Sequence, residues 1–194
     1  MFIAFEGLDG SGSSTQSRLL AEHLEKKGFV PHLTKEPTPD TPIGKMIREV
    51  LQHKWKIAPD TLQLLFTADR AEHLKTEIEP ALANGQIVIT DRYLLSTLAY
   101  GSLDVDLKWL KALNENFRIP DITFLFKVNP VECIRRIAGR GSEFEIFENE
   151  EKLRRIWNHY EALSHEFPNL HLIDSEKPKE EVSAEIWGIV SERI

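Results

Sequence analysis

Phe2-Ile3-Ala4-Phe5-Glu6-Gly7-Leu8-Asp9-Gly10-Ser11-Gly12-Ser13-Ser14-Thr15 is the stretch that decides the fold. Phe2 to Phe5 is a short apolar run with a glycine-rich turn behind it, and it reads as a fully buried strand. Ser14 or Thr15 starts a helix that carries Leu19, Leu20 and Leu24 on one face, and Gly28 stops it. Strand, glycine-rich loop and helix in that order are the context of a phosphate-binding loop. Gly7, Gly10 and Gly12 let the backbone fold tightly and aim its N–H groups at phosphate oxygens. The helix N-terminus adds its own N–H groups and partial positive charge. Candidate phosphate-binding residues are therefore Gly7, Asp9, Gly10, Ser11, Gly12, Ser13, Ser14 and Thr15. Ser14 stands where the Ser or Thr of G-x-x-x-x-G-K-[ST] binds Mg²⁺.

Outward from this loop, short apolar strands alternate with helices. Strands are expected at Phe29 to Thr34, Gln86 to Thr90, Ile122 to Val128 and Leu170 to Ile173. Helices are expected after Pro42, from Pro59 to about Ala83, from Asp106 to Asn116 and from Pro130 to about Gly139. Two more are expected at Asn149 to Phe167 and Lys179 to Arg193. Such alternation implies a parallel sheet with right-handed crossovers and helices on both faces. The expected fold class is α/β: a three-layer P-loop NTPase fold with a five-stranded parallel sheet. Residues 1–194 are expected to form a single domain. Ligands of such sheets bind outside the carboxyl ends of the strands. Glu6-Gly7, Glu36-Pro37, Asp91-Arg92 and Lys127 all fall at strand ends.

One position breaks the loop pattern, because Ser13 replaces the lysine. That ammonium normally offsets charge on the β- and γ-phosphates. Either the protein binds nucleotide with weak catalysis, or another cation fills the gap. Lys127 is the candidate substitute. It lies in Phe124-Leu125-Phe126-Lys127-Val128, an otherwise apolar strand, and a buried lysine needs an anionic partner. If this strand neighbours the first, a lysine stem can span the roughly 4.8 Å between strands. The alternative is a stem that snorkels to solvent at the strand end. Lys35 is the reserve candidate.

Bulk composition narrows the function classes. The 194 residues are 41% hydrophobic and 28% charged, which suits a globular protein. No apolar run approaches the roughly 20 residues that span a bilayer, and the N-terminus lacks a signal-peptide pattern. The net charge of -7 argues against nucleic-acid binding, which takes a basic face. Cys133 is the one cysteine, so a disulfide framework is excluded and a reducing cytoplasm fits. The seven histidines show no metal-ligand cluster in their spacing.

Several segments together resemble the thymidylate kinases. Phe5-Glu6-Gly7-Leu8-Asp9-Gly10 resembles that family's loop opening, and Lys35-Glu36-Pro37-Thr38 its Arg-Glu-Pro segment. Leu64-Leu65-Phe66-Thr67-Ala68-Asp69-Arg70 is similar to its thymine-contacting helix. Asp91-Arg92-Tyr93 followed by Ser96-Thr97-Leu98-Ala99-Tyr100 is the most distinctive match. Pro120-Asp121-Ile122-Thr123 resembles the entry to its fourth strand. The resemblance implies transfer of the γ-phosphoryl group of ATP to dTMP, with Mg²⁺, in a cytoplasmic homodimer that binds neither nucleic acid nor membrane.

It also implies roles. Asp9 is the loop carboxylate near the acceptor's sugar and phosphate. Arg48 and Arg92 hold the acceptor phosphate, without which two anions would repel each other. Phe66 stacks on thymine; the alternative is plain helix packing. Arg70 bonds the base edge with its planar fork. Glu36, Pro37, Ser96, Thr97 and Tyr100 shape the same pocket, and Asp91 acts through Mg²⁺ or by orienting Arg92. A lid is expected at about residues 139–149, entered by Arg136 and Arg140. Arg136 is assigned to ATP phosphate. Asp9, Arg92, Lys127 and Arg140 form the expected catalytic set, although Arg140 can instead stack on adenine. The family's usual basic residue is missing from both loop and lid, since Ser142 to Glu151 is acidic. The rival readings are a kinase for dUMP or a deoxynucleoside, and a nucleotide-binding module with little or no turnover.

Overall fold

Five strands pair in parallel in the order β2-β3-β1-β4-β5. They come from a computed structural model that describes residues 1–139, 147 and 149–194. The strands are β1 (Phe2–Gly7), β2 (Pro31–Lys35), β3 (Ile87–Asp91), β4 (Ile122–Lys127) and β5 (Leu170–Asp174). The described helices begin with α1 (Ser13–Lys26), α2 (Pro42–Leu51), α3 (Pro59–His73) and α4 (Glu79–Ala83). Then come α5 (Leu94–Gly101), α6 (Leu107–Asn114), α7 (Pro130–Ala138), α8 (Glu150–Ser164) and α9 (Lys179–Ser191).

Every residue of β1 is buried, because it is the middle strand with helices on both faces. The two-residue period of a strand sends alternate side chains to opposite faces. Phe2 and Ala4 pack with Leu95, Leu98 and Ala99 of α5 and with Leu153 and Ile156 of α8. Ile3 and Phe5 pack with Leu20 and Leu24 of α1 and with Val182, Ile186 and Val190 of α9. These two apolar layers make the three-layer α/β sandwich. Cys133 lies inside the first layer, where burial pushes its thiol up to about 12, so it is a small core side chain.

Two local expectations are corrected. β2 begins at Pro31 rather than Phe29, and Phe29 and Val30 are exposed beside the Gly28 turn. The long helix from Pro59 to Ala83 is interrupted by a π-helical turn at Leu74–Ile78. Pro80 lacks an N–H and crowds the carbonyl four residues back, and a widened turn ahead of it relieves that crowding. α5 is not among the expected helices, and it carries no amphipathic stripe. Leu94 to Ala99 are all buried, so the helical period is not visible.

α2 is seated by two features at its start. Thr41 caps it by accepting the Gly44 N–H at 3.0 Å, with Pro42 in the first turn. Gly44 itself touches the preceding turn, where an added Cβ would fall 1.8 Å from the Thr38 carbonyl oxygen. Gly44→Ala is therefore expected to destabilise the chain by about 2–3 kcal/mol in urea unfolding. It should also weaken any function that depends on Arg48, which α2 carries.

Candidate active site

The phosphate loop links β1 to α1 with Gly10 and Gly12 in the left-handed region (φ 82° and 95°). Only glycine fits at residue 10, since a Cβ there would lie 2.6 Å from the Cys133 carbonyl oxygen on α7. Gly12 precedes α1 without a side-chain cap, so the first N–H groups of the helix remain open to an anion. Ser11 N–H turns the loop by donating to Leu8 O at 3.0 Å. Ser175, just past β5, braces it from outside by donating its hydroxyl to Ser11 O at 2.6 Å.

Asp91 ends β3 beside this loop. It accepts the Ser13 hydroxyl at 2.8 Å on one oxygen and the Ser14 hydroxyl on the other. A P-loop hydroxyl with an acid from the neighbouring strand is a donor set that fits Mg²⁺. That ion needs one or two protein ligands, with phosphates and water completing its shell. Among the described residues, no group of three or more His, Cys, Asp or Glu stands ready to hold a metal.

The cations around the loop are distributed differently from the sequence expectation. Lys127 does end the strand next to β1, but its side chain is exposed rather than buried. The carboxyl edge of the sheet is open there, so the expectation of a buried ammonium in need of an anion is corrected. Arg136 instead reaches the loop from α7. Its Nη1 lies 3.3 Å from Ser11 O and 3.5 Å from Gly10 O, while Nη2 donates to Ser175 O at 3.0 Å. Glu132, one turn back, holds its Nε at 2.8 Å. Arg140 and most of the expected lid lie outside the described residues.

Beside the loop opens a cavity of about 250 Å³, at the small end for ligand clefts, which start at roughly 300 Å³. Its wall contains Glu36, Pro37, Arg48, Phe66, Arg70, Arg92, Ser96, Thr97 and Tyr100, together with Asp9 and Asp91. All nine expected acceptor-pocket residues are thus brought to one place. Lys35, Gln63 and Phe147 join them without having been assigned to a pocket. Phe147 meets the Tyr100 ring edge-on at 5.3 Å.

Arg92 joins cavity and loop. Its backbone is left-handed (φ 71°), an uncommon state for a side-chain-bearing residue that turns β3 abruptly into α5. Its guanidinium donates to Asp9 at 2.5 Å, Gly7 O at 2.8 Å, Tyr100 Oη at 3.1 Å and Ser96 Oγ at 3.2 Å. Arg70 is 1% exposed. It donates to Glu36 at 2.6 Å and to Thr97 and Asn114 at 2.7 Å each. Arg48 lines the same cavity and makes no hydrogen bond or ion pair with another described side chain.

Sequence reasoning places Glu6 at a strand end but gives it no role. A carboxylate inside an apolar strand was its one visible signal. It accepts the Tyr93 and Leu95 N–H groups at 3.1 and 3.0 Å, as well as the Ser96 hydroxyl. Glu6 thereby anchors the N-terminus of α5, the helix that carries Ser96, Thr97 and Tyr100. Burial pushes its carboxyl up to about 7, against the Ser96 hydrogen bond and the Arg92 charge.

The site so assembled is that of a P-loop phosphotransferase: an anion cradle and a cation-walled cavity meet at the carboxyl edge of a parallel sheet. The family model for thymidylate kinase matches residues 5–186. The "Probable thymidylate kinase" of Thermococcus kodakarensis is 43% identical, over 98% of this chain and 97% of its own. That of Thermococcus gammatolerans is 39% identical over 100% and 97%. The solved thymidylate kinase of Candida albicans superposes with a TM-score of 0.86 at 26% identity, covering 98% of this chain and 91% of that one. The chain belongs to the thymidylate kinase family of ATP-dependent kinases.

The folded state holds the Glu6 proton up to about pH 7, whereas an unfolded glutamate releases it near 4.5. Between those values the native state binds more protons, so this group's contribution to stability falls as pH rises. The expected loss reaches about 3 kcal/mol by neutral pH. Urea unfolding from about pH 5 to about pH 8 should show that decline in the natural chain and a flatter profile in Glu6→Gln.

Proposed function

We propose that this chain transfers the γ-phosphoryl group of ATP to the 5′-phosphate of dTMP, giving dTDP and ADP. The observation that carries the reading is the cavity wall, where Arg48, Phe66, Arg70, Arg92 and Tyr100 surround one space that opens on the phosphate loop.

Each residue then has a physical task. The loop N–H groups from Gly7 to Thr15 hold the phosphates of ATP, and Asp9 and Arg92 sit where the two nucleotides meet. Arg48, with no side-chain partner among the described residues, and Arg92 offset the charge of the acceptor phosphate. Phe66 offers a ring face to the base, and Arg70 offers its planar fork to the base edge. Tyr100 packs against the sugar and leaves little room for a 2′-hydroxyl. Ser14 and Asp91 would hold Mg²⁺, whose contribution is to neutralise charge on the β- and γ-phosphates. The acceptor oxygen is already anionic, so no strong base is needed, and catalysis is positioning plus charge stabilisation.

Arg136 is proposed as the cation that compensates for Ser13, because its guanidinium already rests against the loop. Its loss removes charge-assisted contacts of about 1.5–3 kcal/mol, so Arg136→Ala should lower kcat/KM for ATP about 10–100-fold. Lys127→Ala should change it less than about threefold, in keeping with an exposed ammonium. Equal effects of the two substitutions would refute this assignment. The chain is further proposed to act in the cytoplasm as a homodimer. Exposed Met46 on α2 and Leu64 on α3 supply an apolar surface that suits self-association. Sedimentation at micromolar concentration would reveal a monomer if that is wrong.

The deciding assay follows ADP formation from ATP·Mg²⁺ with and without dTMP. Strong dTMP dependence is expected, with dUMP turned over less well. Arg48→Ala should raise KM for dTMP about 10–100-fold and leave KM for ATP unchanged. Unaltered dTMP turnover in that variant would point to an acceptor without a phosphate. Bound ATP with no acceptor-dependent ADP would point to a nucleotide-binding module, the reading that the neutral Ser13 favours.

A further inference from the structure

A chain of polar side chains, buried at Arg70, Glu36 and His73 and half-buried beyond them, runs from Arg70 to the edge of the sheet. His73, the last residue of α3, is 1% exposed and does not line the cavity. Its Nδ1 lies 3.2 Å from one oxygen of Glu36, and the other oxygen of Glu36 accepts from Arg70 at 2.6 Å. On its far side, Nε2 lies 2.8 Å from Thr34 Oγ1 and 3.5 Å from Glu77. Glu77 also meets His32 at 2.9 Å, on β2. Glu77 sits within the π-helical turn that starts directly after His73.

The two sides of the ring have different jobs. Arg70, a donor only, holds the far oxygen of Glu36, and the matching bond at the near oxygen is one that His73 Nδ1 donates to the carboxylate. The terminal torsion of a glutamate is broad and sets the plane of its carboxylate. Two donors, one on each oxygen, fix that plane. The Arg70 fork is planar as well, and Glu36 and Thr97 restrain it at Nη2 and Asn114 at Nη1, so a turned Glu36 removes its one ionic restraint. Arg70 lines the cavity and its Nε is buried with no hydrogen-bond partner among the described residues, so the tilt of the fork decides what the pocket presents.

We propose that His73 is a positioning residue for acceptor recognition: through Nδ1 it locks Glu36, and Glu36 locks the Arg70 fork against the acceptor base. This rests on the acceptor reading of the cavity given above. A histidine that merely fills the core would act through stability alone.

Two substitutions separate the ring's sides. His73→Asn keeps a donor at the place of Nδ1 and loses the Nε2 side, whereas His73→Gln does the reverse. KM does not depend on how many molecules are folded, while apparent kcat does. His73→Gln is expected to raise KM for dTMP about tenfold, as the loss of a hydrogen bond to a charged group should. His73→Asn should hold KM for dTMP within about threefold of the natural chain, and KM for ATP should stay put in both. Equal shifts in the two variants, no shift in either, or a matching shift in KM for ATP would overturn the inference. If His73→Gln does not fold, His73→Asn decides alone, and a raised KM for dTMP then overturns it. Absence of dTMP-dependent turnover in the natural chain refutes the acceptor reading instead, and this inference falls with it.

Discussion

The pairing of β1 with β3 is the constraint on which the rest depends. Parallel register sets Phe5 opposite Asp91, and the Arg92 N–H closes the edge by donating to Phe5 O at 2.8 Å. The phosphate loop leaves from one of these strands and the acid–arginine pair from the other. A slip of β3 by one residue would turn Asp91 away from Ser13 and Ser14 and send every buried side chain of that strand to the opposite face. The apolar layers on either side of β1 therefore set the position of the polar chemistry at its tip.

Around that tip the molecule accepts an unusual amount of buried polarity. Glu6, Glu36, Asp69, Arg70 and His73 are all 5% exposed or less. Unpaired, each would cost several kcal/mol, so they persist as networks in which one side chain satisfies another. Glu6 ties β1 to α5, Glu36 ties the turn after β2 to α3, and Asp69 holds the Thr38 N–H at 2.9 Å. Each link holds an element that lines the cavity, α5 through Glu6 and α3 through Glu36 and Asp69, which fixes the walls before a substrate arrives. Such preorganisation is what phosphoryl transfer rewards, since the protein supplies geometry and charge rather than covalent chemistry.

Much of this was legible in the residues. The alternation of apolar strands and helices named the fold, and the rule that ligands bind at strand ends located the site. What escaped had physical causes. α5 is buried all round and so lacks a periodic stripe. Lys127 looked buried because three apolar residues precede it, yet it ends β4 at the carboxyl edge of the sheet and faces water. The roles of Glu6 and His73 were hidden because their partners are far away in sequence, on α5 and on the turn after β2. Ser175 braces the loop through a single hydroxyl, for which no local pattern exists.

Ser13 has a consequence beyond catalysis. In a loop that keeps its lysine, a ligand loses an ion pair when a neutral group replaces its terminal phosphate. Here the residue at that position is a neutral hydroxyl already engaged by Asp91, so the same replacement forfeits nothing at residue 13. For an ATP mimetic with an uncharged tail, any lost ion pair then falls on Arg136, which rests against the loop from α7, and not on the residue at position 13. The missing charge in that sense moves the reading of the phosphate tail from the loop itself to α7.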